Sequence, residues 1–193
     1  MKALVSIITV NYNGLRDTCE MIDSFRNHET YPHYEIIVVD NGSRLPEAEE
    51  IQERYRGNLV PGGSLSGSPA SDNPVPFPPV KVVRNINNGF AGGNNAGLKT
   101  AGGDYLFFIN NDTLIKEPVL EALVRRMECD PQRNGGVSPM LKFAACPDIL
   151  QYAGFIPLSS LTLRNASIGF MQQDGPRFRT PCETASLHGA AMM

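Results

Sequence analysis

The stretch EIIVVDNGS, Glu35 to Ser43, sets four β-branched residues in a row and then stops on Asp40, Asn41, Gly42 and Ser43. A short apolar run bounded by turn formers reads as a buried strand that ends in a polar loop. The pattern occurs twice more. VSIITVNYNG, Val5 to Gly14, runs into Asn11, Tyr12, Asn13 and Gly14, and DYLFFINNDTLI, Asp104 to Ile115, runs into Asn110, Asn111 and Asp112.

Strands are expected over Leu4–Val10, Glu35–Val39, Val80–Val83 and Asp104–Asn110, with helical patterns between them. Leu15, Thr18, Ile22 and Phe25 recur at helical spacing and predict an amphipathic helix over Leu15–His28. Pro46 suits the first turn of a second helix reaching Arg56. Val119, Leu120, Leu123, Val124 and Met127 predict another from Glu117 onward. Strands alternating with helices are the mark of βαβ units on a parallel sheet, and near-continuous hydrophobicity implies burial on both faces. The predicted class is α/β, a Rossmann-like, mostly parallel sheet flanked by helices. In the C-terminal third, GGVSPMLKF, QYAGFIPL and ASLHGAAMM read as strands with irregular joints, so a mixed sheet is expected there.

A length of 193 residues suits one domain. The formal charge of -3 and the pI near 5.6 lack the basic excess of a nucleic-acid binder. Four widely spaced cysteines and three histidines form no zinc or redox motif, so reduced thiols in a cytoplasmic protein are expected. The N-terminal apolar run ends on Asn-Tyr-Asn-Gly without a cleavage pattern and reads as a strand, not a signal peptide. No apolar stretch reaches the roughly 18 residues of a membrane span. Residues 57–79, rich in Gly, Ser and Pro, are expected to form a flexible loop.

In open parallel sheets the ligand crevice lies beyond the carboxyl ends of the strands, where these polar clusters collect. Each cluster alone is equally well read as a turn or helix cap. Asp112, leaving a buried strand behind two asparagines, suits a metal ion or a sugar hydroxyl as well as a helix cap. A fourth polar segment packs five Asn and three Gly into Asn85–Asn95 ahead of a helix. Glycines and a helix N-terminus there would suit a diphosphate. GGNNAGLKT approximates a phosphate-binding ATPase loop, but its Lys comes one residue late. G-x-G-x-x-G is absent, which leaves a dinucleotide-binding dehydrogenase resting on fold alone.

The segments VSIITVNYNG, EIIVVDNGS and NINNGFAGGNNAGLKTAGGDYLFFINNDT, in that order, resemble the family 2 glycosyltransferases with the GT-A fold, particularly the bacterial rhamnosyltransferase-like group. The likeness spans about residues 3–128. It implies transfer of a sugar from a nucleotide-diphosphate donor, a dTDP- or UDP-sugar, to a saccharide or lipid-linked saccharide acceptor in bacterial polysaccharide synthesis, with inversion. Thr9, Asn11, Tyr12 and Asp40 would hold base and ribose, Asn95 would line the donor pocket, and Asn111 stands where many members carry the first carboxylate of their acidic motif. Asp112 matches the last, metal-ligating carboxylate, for Mg²⁺ or Mn²⁺.

The resemblance divides 1–193 into a nucleotide-sugar-binding half, 1–128, and a partial acceptor half, 129–193. The family's base is usually an Asp in a Glu-Asp pair downstream of a strand resembling LHGAAMM. Here the sequence ends on that strand, so the domain is expected to be truncated before its base and to have low activity alone. His188 is the alternative base, with a pKa suited to neutral pH. The expected place of work is the cytoplasm, the inner face of the membrane included. A nucleotide-sugar binding module without catalysis is the alternative reading.

Overall fold

The computed structural model describes residues 2–56, 78–162 and 164–193. Most of the loop expected over 57–79 lies outside the described residues. The chain divides into two compact units, Met1–Glu121 and Ala122–Met193.

In the first unit, strands β1 (Val5–Asn11), β2 (Tyr34–Asp40), β3 (Val80–Arg84) and β4 (Tyr105–Ile109) run in the order β3-β2-β1-β4. β1 pairs in parallel with both β2 and β4, and β2 with β3. Helices α1 (Leu15–His28), α2 (Glu47–Arg56) and α3 (Gly89–Leu98) supply the connections. The fold is the α/β arrangement that the alternating pattern predicts. β2 is buried at every position, whereas β3 and β4 are only partly so. The expectation of burial on both faces therefore holds for β1 and β2 at the centre and relaxes outward.

The register β1–β2 pairs Val5 with Tyr34 and ends by pairing Asn11 with Asp40. Because side chains alternate faces, Ile7, Thr9 and Asn11 share one face of β1 while Ser6, Ile8 and Val10 share the other. On the second face Ile8, Ile37 and Val39 form a buried cluster under α3. The glycines of α3 permit that approach. A Cβ at Gly97 would stand 2.6 Å from Ile8 Cγ2 and 3.0 Å from Val39 Cγ2, and one at Gly93 would stand 2.9 Å from Val10 Cγ1. These two glycines thus serve helix–sheet contact, and Gly93 is the one among the three glycines of Asn85–Asn95 that does so.

At the amino end of the strands, the buried Glu35 carboxylate accepts from Ser6 Oγ at 2.7 Å and from Gly102 N at 2.9 Å, and pairs with Lys81 at 2.6 Å. Burial works to raise its pKa, but the Lys81, Ser6 and Gly102 contacts prevail and hold it below the ordinary value. Helix α4 (Leu120–Cys129) starts later than the predicted Glu117. Glu29 Oε2, at the end of α1, accepts from Val119 N and Leu120 N and caps it there.

The second unit carries the antiparallel pair β5 (Leu141–Phe143) and β6 (Cys146–Tyr152), a 3-10 turn at Pro176–Phe178, and the short strand β7 (Ala191–Met192). Antiparallel pairing here beside the parallel strands of the first unit makes the chain's sheet content mixed, as expected. Asp174 draws Lys142 and Arg179 to one oxygen at 2.7 and 2.8 Å.

Gly97→Ala tests the helix–sheet contact. Helix propensity favours Ala by about 1 kcal/mol, whereas forcing a methyl into a packed core costs about 1–3 kcal/mol. With two β-branched side chains in the way, a net loss of up to about 2 kcal/mol is expected in denaturant unfolding.

Candidate functional site

The polar strand ends meet at the carboxyl edge of the first unit. Asn11, fully buried, ends β1 with its side chain on the α1–α2 face. Its Oδ1 accepts from Thr18 Oγ1 on α1 at 2.8 Å. Its Nδ2 donates to Glu47 Oε2 at 2.8 Å, Asp40 Oδ1 at 3.1 Å and Ser43 Oγ at 3.2 Å. Ser43 also donates to Asp40 Oδ1 and accepts from Asn13 N. Glu47 Oε2 takes a second hydrogen from Gly14 N at 3.1 Å, so the loop after β1 is tied to the first turn of α2.

The same chain reaches β4. Asn111 Nδ2 donates to Thr18 Oγ1 at 3.1 Å, which makes Thr18 the link between Asn111 and Asn11. Further along α1, Ser24 Oγ accepts from Ile115 N and Glu29 from Leu120 N. Helix α1 therefore acts as a rail for the segment after β4. Asp112, next to Asn111, is exposed.

On the opposite side of Asp40, Asn41 is 3% exposed and bonded to the loop before α3. Asn85 N donates to Asp40 O at 2.9 Å, and Gly42, at φ +81, leaves room for Asn87.

The expected donor-site residues are unevenly placed. Asp40, Asn11 and Asn111 belong to one network, with Tyr12, 47% exposed, beside it. Thr9 is fully buried, and among the described residues its Oγ1 has no hydrogen-bond partner. Asn95 is exposed on α3 and takes no part in the network. Sequence reasoning named Ser43 as part of the polar cluster after β2 but missed Thr18 and Glu47. Their signals were present: a Thr within the buried stripe of α1, and a Glu in the first turn behind Pro46.

His188 belongs to the second unit and sits half-buried against Tyr152 and Phe155, nearly parallel to the latter at 9°. Its Nδ1 accepts from Ala190 N at 3.1 Å. That bond places the neutral ring's proton on Nε2, so neither nitrogen is free to take a proton from an acceptor hydroxyl. Burial also holds its pKa below the ordinary imidazole value.

Among the described residues no three His, Cys, Asp or Glu side chains gather into a metal-holding group. Asp112 is the one carboxylate at the end of β4, and the Asn111 amide is engaged with Thr18. Such a donor set fits Mg²⁺ or Mn²⁺ only when diphosphate oxygens and water complete the octahedron.

The family model described as glycosyl transferase family 2 matches residues 6–143. The chain belongs to glycosyl transferase family 2. An uncharacterised glycosyltransferase of Haemophilus influenzae is 26% identical over 132 residues, covering 68% of this chain and 37% of the relative. Glycosyltransferase GlyG of Streptococcus pneumoniae is 26% identical over 129 residues, covering 66% and 36%. The chain thus spans little more than a third of these relatives. Among solved structures, S. aureus TarS residues 1–349 align at TM-score 0.54 and 19% identity, over 83% of this chain and 42% of that one. The mannosyltransferase PcManGT of Pyrobaculum calidifontis, in complex with GDP-Man and Mn²⁺, aligns at 0.55 and 19%, over 74% and 36%. These likenesses establish the GT-A fold. No helix among the described residues is long and apolar enough to cross a membrane.

Two measurements check this geometry. Asn11→Ala strips partners from Thr18, Asp40 and Glu47, and a loss of about 1–3 kcal/mol in denaturant unfolding is expected. His188 should titrate below the ordinary imidazole value in NMR. Since its folded pKa is depressed, protonation favours unfolding. Its contribution to stability is complete above the unfolded pKa of about 6.5 and is lost as the pH falls through and below it.

Proposed function

We propose that this chain carries the donor-binding half of a nucleotide-sugar glycosyltransferase, with Asp40 on the nucleoside and Asp112 on the diphosphate side. The observation that carries the reading is the continuous side-chain path from Asp40 through Asn11 and Thr18 to Asn111, beside Asp112. A single ligand would span both ends of a rail held rigid by α1.

In this reading the roles divide by burial. Tyr12, half exposed, offers a ring face to base or ribose, while Asp40 keeps 8% of its surface open. Thr9 and Asn11 lie wholly beneath and do not touch the donor, and Asn11 holds Asp40 in place. Asn95 meets the donor's sugar or phosphates from the exposed side of α3. Asp112 would hold Mg²⁺ or Mn²⁺, which when bound neutralises charge on the departing nucleoside diphosphate. The neutral Asn110 and Asn111 beside it avoid repelling that diphosphate. An inverting transfer to a saccharide or lipid-linked saccharide hydroxyl in polysaccharide synthesis, at the inner face of the membrane, is the reaction the family offers. The nucleotide is a dTDP- or UDP-sugar, and a rhamnosyl donor is the specific candidate from the motif likeness.

The engaged Nδ1 of His188 favours a second reading, donor binding without transfer by this chain. Donor hydrolysis and sugar transfer measured side by side separate the two. Transfer that survives His188→Gln excludes His188 as base, and absence of transfer with intact donor binding supports the binding module.

Calorimetry with UDP and dTDP, with and without Mn²⁺, tests the donor site. Wild type should bind nucleoside diphosphate more tightly with metal, and Asp112→Ala should lose the metal dependence. Asp40→Ala should weaken nucleoside and nucleoside diphosphate alike, on the order of 1.5–3 kcal/mol. Equal metal-dependent affinity in wild type and Asp112→Ala would remove Asp112 from the metal.

A further inference from the structure

In the second unit the backbone holds two large apolar side chains out in solvent at a turn. Gln172 N donates to Gly169 O at 2.9 Å, which closes the turn with Phe170 and Met171 at its two central positions. Phe170 is 54% exposed and Met171 64%. Met171 also stands at φ +59, where a turn ordinarily calls for Gly or Asn. A long side chain in that conformation costs free energy that glycine would not, and burial recovers little of it here. The turn is nonetheless firmly held: Met171 N donates to Leu150 O at 2.9 Å, Leu150 N to Gln172 O at 2.8 Å, and Phe170 packs at a T-shaped angle on Phe143.

Basic side chains border the turn. The Arg177 guanidinium donates to Gln172 Oε1 and lies 4.6 Å from the Phe178 ring centroid, and a Cβ on Gly169 would stand 3.3 Å from Phe178 Cε1, so both residues flank the turn. Lys142, which precedes Phe143, and Arg179 converge on Asp174 Oδ2, two residues past Gln172. The Asp174 side chain is only 8% exposed, against 37% for Lys142 and 63% for Arg179. The negative charge is covered and the positive charges reach solvent. Asp148 is the one other acidic residue between positions 131 and 182, whereas Met1–Glu121 has fifteen Asp and Glu against ten Lys and Arg. The positive surface is therefore a local feature of an acidic chain.

We infer that this turn docks on an anionic lipid bilayer, with Phe170 and Met171 entering the headgroup region and Lys142, Arg177 and Arg179 meeting lipid phosphates. The inference rests on the proposed reaction at a membrane and names the surface that meets the lipid. Two half-exposed side chains offer far less area than the roughly 800 Å² per partner of a stable protein–protein interface, which disfavours a second copy of the chain. A bilayer requires less. Apolar side chains inserted at its interface add to the attraction of nearby basic groups for anionic lipid, and each such Lys or Arg strengthens binding about fivefold. Arginine gains further because a phosphate takes two of its hydrogens at once.

The test is co-sedimentation of the whole chain with vesicles of phosphatidylcholine alone and of phosphatidylcholine and phosphatidylglycerol in equal parts. Wild type should prefer the anionic vesicles by at least about tenfold at low salt, with the preference falling as salt rises. Met171→Gly suits the positive φ, so it should keep the unfolding midpoint while lowering partition onto the anionic vesicles about tenfold. Arg177→Gln should lower it about fivefold and leave the apolar turn in place. If wild type partitions equally onto the two kinds of vesicle, or both variants partition as wild type does, the inference is overturned and the donor site, read separately by UDP calorimetry, stands. Self-association in sedimentation velocity that Met171→Gly abolishes also overturns it, because the turn then belongs to an interface between copies of the chain.

Discussion

One buried amide holds the carboxyl edge together. Asn11 ends the central strand β1, and its single side chain joins β2, α1 and α2 through Asp40, Thr18 and Glu47. A fully buried amide costs several kcal/mol unless its hydrogen bonds are met, so the site tolerates only arrangements that meet them. The register that pairs Asn11 with Asp40 is one. A slip by one residue would turn Asn11 toward α3 and set Val10 against Glu47. The polar network thereby specifies the strand pairing that the apolar residues, being alike on both faces, leave open.

The other face of the sheet solves a different problem. Helix α3 must come close enough for its preceding loop to reach Asn41, and Gly93 and Gly97 allow this by leaving no Cβ above Val10, Ile8 and Val39. The close approach brings Gly89 against Asn41, and from that contact the orientation of the neighbouring asparagines follows. Packing of small residues against the core thus sets the chemistry of a loop several residues away.

The strands and helices of the first unit were legible because β-branched runs and helical spacing are strong local signals, and α1 falls on the residues the spacing predicts. The glycines of α3 were legible as required glycines but not in purpose, since a close approach to a sheet and a close approach to phosphate call for the same residue. Roles at the strand ends were harder still. Thr9 and Asn11 occupy the same face by alternation, yet only the packing of α1 and α2 over them shows that they are covered. Thr18 reads in sequence as one more member of a buried stripe. Its hydroxyl matters because Asn11 and Asn111, far apart in sequence, arrive on either side of it. The second unit offered short irregular strands, and His188 could be judged only once the Ala190 N–H was found on its Nδ1.

The asparagine at position 111, where the motif likeness would admit a carboxylate, is explained by that junction. Thr18 has one hydrogen to give and gives it to Asn11 Oδ1, so its oxygen is left to accept from Asn111. An ionised carboxylate at 111 has no hydrogen to offer. Thr18 would then have to turn its hydroxyl toward position 111 and leave Asn11 Oδ1 unpaired in the core, or leave two oxygens facing each other with no hydrogen between them. Either choice carries the penalty of a buried unsatisfied group, about 1–3 kcal/mol. Asn111, Thr18 and Asn11 are therefore a matched set, with one proton direction running from β4 through α1 into the amide that positions Asp40. The set leaves Asp112 as the single carboxylate at the end of β4, so in the proposed reading a cation there would draw its remaining ligands from a diphosphate and water.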